Sequence, residues 1–256
     1  MNAPERIVKW MSEHRHVDKK LGHEYRYHSR SDAHSIELCR FVVADLLARC
    51  EPLRSQAARG EIAYGINLKH QWPSGKTKTL DLAIGMPSRP LTVTPEAGIH
   101  RVEDLAEVLI ACEAKTVMTE HGKSQPRVFD ELSSSHEIVH SGRPDAIAAG
   151  ITVVNIAATF VSPLRQQEGK ALYVSKHNQP HVTERMVKHL RGLVTRERSE
   201  GVGFDAYCTV IVECDNQNSV SLWTNPPAPQ PGEVDHYDTF VERISRFYGE
   251  RFGAVG

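Results

Sequence analysis

Residues 107–118 read EVLIACEAKTVM, and the fold follows from how this stretch must be placed. Its unbroken apolar run, Val108 to Cys112, suits a central β-strand covered on both faces. Side chains alternate along a strand, so Glu113 and Lys115 share one face while Cys112 and Ala114 share the other. An acid and an amine at the end of an apolar strand cost free energy unless that end opens into a polar site. The segment therefore predicts a buried sheet with a chemically active edge.

Working outward, EIAYGINLKHQW (61–72) and KTLDLAIGM (78–86) flank Pro73-Ser74-Gly75-Lys76-Thr77, which predicts a β-hairpin. A loop with Pro87, Pro90 and Pro95 comes next. Before the hairpin, Ile36, Phe41, Val42, Leu46 and Leu47 fall at helical spacing, predicting a helix over about 32–56 capped by Ser31 or Asp32. Residues 1–30 are polar and rich in His and Arg, with room for one short helix near 5–11. Downstream, a helix over 125–140 leads to the apolar strand GITVVNIA (150–157). Strand, helix and strand within this length predict a right-handed crossover and a parallel pair. A helix over 182–198, strands near 206–213 and 220–223, and a final helix near 237–252 complete the chain. The Pro-rich loop 225–234 is the one linker-like stretch, and the remaining segment 235–256 is too short for a domain. The expectation is α/β: a single domain over 1–256 with a mixed central β-sheet flanked by helices.

Apolar residues make up 40% and charged residues 25% of the 256, which excludes a disordered or fibrous chain. A net charge of −1 means that any polyanion partner must meet a local concentration of Lys and Arg. The five cysteines form no C-x-x-C pair and read as buried apolar groups in a reducing compartment. The start, MNAPERIVKWMSEHRH, lacks the apolar stretch of a signal peptide, and no apolar run is long enough to span a bilayer. A cytoplasmic protein with no membrane contact is expected.

Asp81 interrupts the hairpin run Leu80-Asp81-Leu82-Ala83-Ile84, so neighbouring strands would set it beside Glu113. Two adjacent carboxylates repel unless a cation lies between them, and hard oxygen ligands of this kind suit Mg²⁺. Lys115 then stands where a water could be oriented or deprotonated. These pieces suit phosphodiester hydrolysis. The pattern of Asp81 followed, after a hydrophobic run, by Glu113-Ala114-Lys115 resembles the PD-(D/E)XK nuclease superfamily, which includes many type II restriction endonucleases. The resemblance covers about 31–158, with 159–256 as helices and strands added to that core, and Leu80 stands where Pro is usual. It implies a restriction endonuclease-like core in which Asp81, Glu113 and the backbone carbonyl of Ala114 hold Mg²⁺ and Lys115 is catalytic. A further acid on the helix before the hairpin would be Glu37. The implied activity is endonucleolytic cleavage of double-stranded DNA in a restriction or similar defence system. A homodimer is expected because cutting a duplex needs two centres.

For DNA binding, Lys123, Gln125 and Arg127 lie at the start of the crossover helix, where cations and free amides suit phosphate. RMVKHLRGLVTRER (185–198) adds Lys188, Arg191 and Arg196. Two alternatives stand beside this reading. His136-Glu137-Ile138-Val139-His140 spells the H-E-x-x-H of zinc peptidases, although Arg143 and Ala146 occupy the positions where an extended motif carries Gly and His. The other alternative is a non-catalytic DNA-binding protein on the same fold.

Overall fold

The chain begins with helix α1 (Ala3–Glu13), a small ribbon of β1 (His16–Val17) and β2 (Glu24–Tyr25), and helices α2 (Ala33–Arg49) and α3 (Glu51–Ala58). The hairpin strands β3 (Ala63–Gln71) and β4 (Thr77–Pro87) come next, then β5 (His100–Arg101) and the long β6 (Leu105–Val117). Helix α4 (His121–Gly142) crosses to β7 (Ile147–Asn155). A second ribbon, β8 (Thr159–Phe160) with β9 (Ser175–Lys176), precedes α5 (His181–Leu190). Strands β10 (Ala206–Glu213) and β11 (Ser221–Leu222) and helix α6 (Tyr237–Phe252) close the fold. The computed structural model describes residues 1–73, 75–91 and 98–253, so Ser74 of the expected hairpin turn and Pro95 of the expected loop lie outside the described residues.

A seven-stranded sheet runs in the order β11-β10-β7-β6-β4-β3-β5. It is mixed: β3/β4, β4/β6 and β10/β11 are antiparallel, while β6/β7, β7/β10 and β3/β5 are parallel. All nine residues of β7 are buried, as a strand with helices over both faces requires. One apolar core lies between the sheet and α1, α2, α3 and α6, and a second lies under α4 and α5. The expected α/β architecture with a mixed sheet flanked by helices is what forms. Among the described residues no helix is long and apolar enough to cross a membrane, and all five cysteines are buried free thiols.

Local chemistry explains where several elements start and stop. Helix α1 opens on a capping box, with Asn2 Oδ1 accepting from the Glu5 N–H and Glu5 Oε2 accepting from the Asn2 N–H. The single helix expected over 32–56 is two helices. Cys50 leaves the helical region at φ −109°, because Pro52 offers no N–H and its ring would strike the carbonyl four residues back. The helix expected over 182–198 stops at Leu190. Beyond it Thr195 bridges to Phe204, and the Arg196 side chain turns inward.

Arg196 turns toward Asp205, which has no exposed surface. The Asp205 carboxylate accepts from Arg196 Nε at 3.0 Å, Arg251 Nη2 at 2.6 Å, the Ala148 N–H at 2.8 Å and His140 Nε2 at 3.1 Å. Burial alone would raise its pKa, but these donors together hold it down at about 2. The charge is present above the ordinary carboxyl range near 3.9 and its stabilising effect is lost as the pH falls toward 2. Asp205→Ala should destabilise the protein at neutral pH by about 3–5 kcal/mol, since it leaves buried cations without a partner. Denaturant melts should also show wild type losing about 2 kcal/mol between pH 5 and pH 2 through this group, a loss that the variant lacks.

Candidate active site

Strands β4 and β6 pair in register through Leu82↔Cys112. One step further that register sets Asp81 opposite Glu113, but there the backbone ladder ends. Asp81 Oδ2 instead accepts the Ala114 N–H at 2.8 Å, its one hydrogen bond among the described residues. A residue in a sheet turns its N–H and C=O to the same neighbour. The Ala114 carbonyl therefore lies on the edge that faces Asp81.

The reason for the break is visible in the burial pattern. Alternate residues of a strand share a face. Yet Ile66 and Leu82 belong to the core under α2, while Leu68 and Leu80, two positions away on their strands, belong to the core under α4. Both strands of the hairpin thus change face at the pair Asn67 and Asp81. Asn67 absorbs the change in the left-handed region at φ 53°, a conformation that costs a non-glycine residue free energy. Strain of this kind is characteristic of functional sites, and it brings both Lys78 and Asp81 of one strand toward Glu113.

Glu113 is buried, and three donors hold it. Lys115 Nζ lies 2.6 Å from Oε1, Lys78 Nζ lies 3.0 Å from Oε2, and Ser135 Oγ donates to Oε2 at 3.1 Å. Lys115 also meets Glu131 Oε2 at 3.3 Å, and Glu131 meets Arg127 at 2.9 Å. Burial pushes the Glu113 carboxyl up, but the charge of Lys115 and then Lys78 outweighs it and its pKa is lowered. Lys115 is likewise disfavoured as a cation by burial, yet Glu113 and Asp81 hold its pKa above the ordinary value. Asp81 goes the other way: burial first, then the negative charge of Glu113, raises it. The repulsion between the two acids that the sequence predicts adds to burial at Asp81, whereas at Glu113 the paired lysines outweigh burial and set the net direction.

The other expected site residues are dispersed. Glu37 pairs with Arg40 at 2.7 Å on its own helix. Another acid, Asp32 directly before the same helix, accepts from Asn67 Nδ2 of the hairpin at 2.8 Å. Lys123 pairs with Glu120, Gln125 reaches the Arg185 carbonyl and Arg127 holds Glu131. Lys188 is exposed, whereas Arg191 is engaged by Asp235 and Glu233. Arg196 is 3% exposed and belongs to the Asp205 network, so it is withdrawn as a phosphate contact. The run 185–198 is no continuous cationic helix, and of its three expected contacts only Lys188 faces solvent freely. The H-E-x-x-H pair is also committed to the interior: His136 is buried against the Phe204 ring, and His140 bonds Asp205.

Sequence reading missed Lys78, Glu131 and Ser135. The last two stand four apart on α4 and so on one helix face, which was the available signal. Comparison with protein-family models, curated proteins and solved structures finds no match. What the site can do rests on its own chemistry.

Among the described residues, no group of three or more His, Cys, Asp and Glu side chains is arranged to hold a metal ion. The Asp81–Glu113 pair is a smaller donor set of hard oxygens, of the kind that suffices for Mg²⁺ when waters and phosphate complete the shell. That donor chemistry fits such an ion, and a cation beside Asp81 would offset the burial and the Glu113 charge that raise its pKa. Opposite stability effects are expected for the two acids. Glu113→Gln should cost about 1–3 kcal/mol at neutral pH, since Lys78 and Lys115 lose the negative charge between them and one of the two acceptor oxygens. That deficit should fade as the pH falls through the lowered Glu113 range. Asp81→Asn should be neutral or stabilising at pH 7, because ionising a carboxyl with a raised pKa costs wild type stability as the pH rises. Thermal melts across pH check both.

Proposed function

We propose that this protein is a Mg²⁺-dependent nuclease that hydrolyses phosphodiester bonds, with Asp81, Glu113 and Lys115 at its centre. One observation carries the reading: Asp81, the Ala114 backbone, Glu113 and Lys115 meet where β4 parts from β6, at a strained change of strand face. The order of helix, hairpin, third strand, crossover helix and parallel strand around them supports the resemblance to a restriction endonuclease-like core. Double-stranded DNA as substrate, a homodimer as the working form and a restriction or similar defence role belong to the same proposal.

Asp81, Glu113 and the Ala114 carbonyl would hold the ion, which supplies Lewis-acid stabilisation of charge on the scissile phosphate. Lys115 is held as an ammonium by Glu113 and Asp81. It serves by donating to phosphate oxygen and by orienting the attacking water, and a role as proton acceptor does not suit it. Glu131 steadies the Lys115 amine from α4, and Ser135 fixes the Glu113 carboxylate. Lys78 neutralises Glu113 from the hairpin side.

The test is incubation with plasmid DNA and Mg²⁺. Wild type should cut, and Asp81→Asn, Glu113→Gln and Lys115→Ala should each lower the rate by at least about 10²-fold while retaining a cooperative melt. Cutting by the triple variant would place the centre elsewhere. Tight DNA binding by wild type with no cutting under Mg²⁺ would favour the non-catalytic binder.

A further inference from the structure

A cleft opens immediately beyond Lys115, where β6 leaves the sheet. Its volume is about 290 Å³, and Thr116, Thr119, Glu120, Ser124, Arg127 and Arg165 are among the residues that line it. We propose that this cleft holds the sugar-phosphate backbone of the nucleic-acid strand one to three nucleotides from the cut. The proposal rests on the nuclease reading and assigns Arg165, from a loop far along the chain, to substrate binding.

Three observations lead there. First, position: β6 runs two residues past Lys115 to Val117, about 7 Å at a strand's rise of about 3.3 Å per residue, before the chain bends at Met118 and Thr119. That is the rise of about two stacked nucleotides. Second, continuity: Lys115 touches Glu131 at 3.3 Å and Glu131 touches Arg127 at 2.9 Å, so one chain of charges joins the centre to the cleft wall. Third, chemistry: two guanidinium groups and several hydroxyls line the walls, and guanidinium suits the forked acceptors of phosphate.

Both arginines are already paired, Arg127 with Glu131 and Arg165 with Glu120. These pairs are partly exposed, and exposed ion pairs are weak. A phosphate can therefore compete for either guanidinium. Among the described residues Glu120 is the one acid lining the cleft, and it sits at φ 53° directly before α4. Its carboxylate opposes a polyanion and partly neutralises Arg165. It is thus the residue whose removal should improve binding, an effect that damage to the fold cannot mimic.

The experiment is equilibrium binding of a short fluorescent DNA duplex in EDTA over a range of salt, alongside plasmid cleavage in Mg²⁺. Arg127→Ala and Arg165→Ala should each weaken binding about tenfold and reduce the slope of log affinity against log salt by about 0.9. Arg165→Lys should recover most of that slope, and Glu120→Gln should tighten binding about threefold. Inorganic phosphate at the same ionic strength should displace the duplex no better than chloride. Unchanged affinity and slope in the arginine variants, with wild type binding and cutting normally, would overturn the cleft assignment and leave the nuclease reading intact. Displacement by micromolar phosphate would make the cleft a small-anion site instead. Failure of wild type to cut any DNA would remove the nuclease reading, and the cleft assignment with it.

Discussion

A carboxylate with no exposed surface must find its solvation inside the protein, and Asp205 finds it from four separate parts of the fold. His140 comes from the end of α4, the Ala148 N–H from β7, Arg196 from the loop before β10, and Arg251 from α6. Each donor fixes its element against β10. The consequence reaches the candidate site, because α4 is the helix that carries Ser135 and Glu131. From His140 back to Glu131 is about 14 Å along a helix. Anchoring one end therefore sets the register at which those side chains meet Glu113 and Lys115. The interaction that secures the fold also aims the helix.

At the site the balance of charge is close to even. Asp81, Glu113 and Glu131 stand among Lys78, Lys115 and Arg127, and the pairs between them are short. The asymmetry lies in Asp81, which bonds a backbone N–H and remains disfavoured as an anion. On the proposed reading, that residual cost is what a divalent ion relieves. An ion arriving with an anionic phosphodiester disturbs the balance less than either would alone, which couples metal and substrate binding. The change of strand face at Asn67 and Asp81 is the structural counterpart, since a regular hairpin could not direct both Leu82 and Leu80 into different cores within two residues.

The H-E-x-x-H sequence shows how a motif loses its meaning in context. Two histidines four apart share a helix face in any α-helix. Here that face is turned to the sheet, where one ring packs on Phe204 and the other serves Asp205. The same burial explains Arg196: a cation in a basic run is a phosphate contact only where the chain leaves it at the surface.

Much of the fold was legible in the sequence because strand and helix periodicity are local. The apolar runs of β6, β7 and β10 could be placed only in a covered sheet, and the length between β6 and β7 required a helical crossover. Asp81, Glu113 and Lys115 stood out because they interrupt such runs. The stop after Leu190, the withdrawal of Arg196 and the recruitment of Lys78, Glu131 and Ser135 were decided by tertiary structure alone. Each depends on which polar group far away in the chain becomes the partner of a buried charge. Arg196 meets the Ala146 carbonyl, and Ser135 meets Glu113, across separations that local patterning does not encode. Periodicity tells which face of an element is buried; only the assembled fold tells which charges that burial obliges to meet.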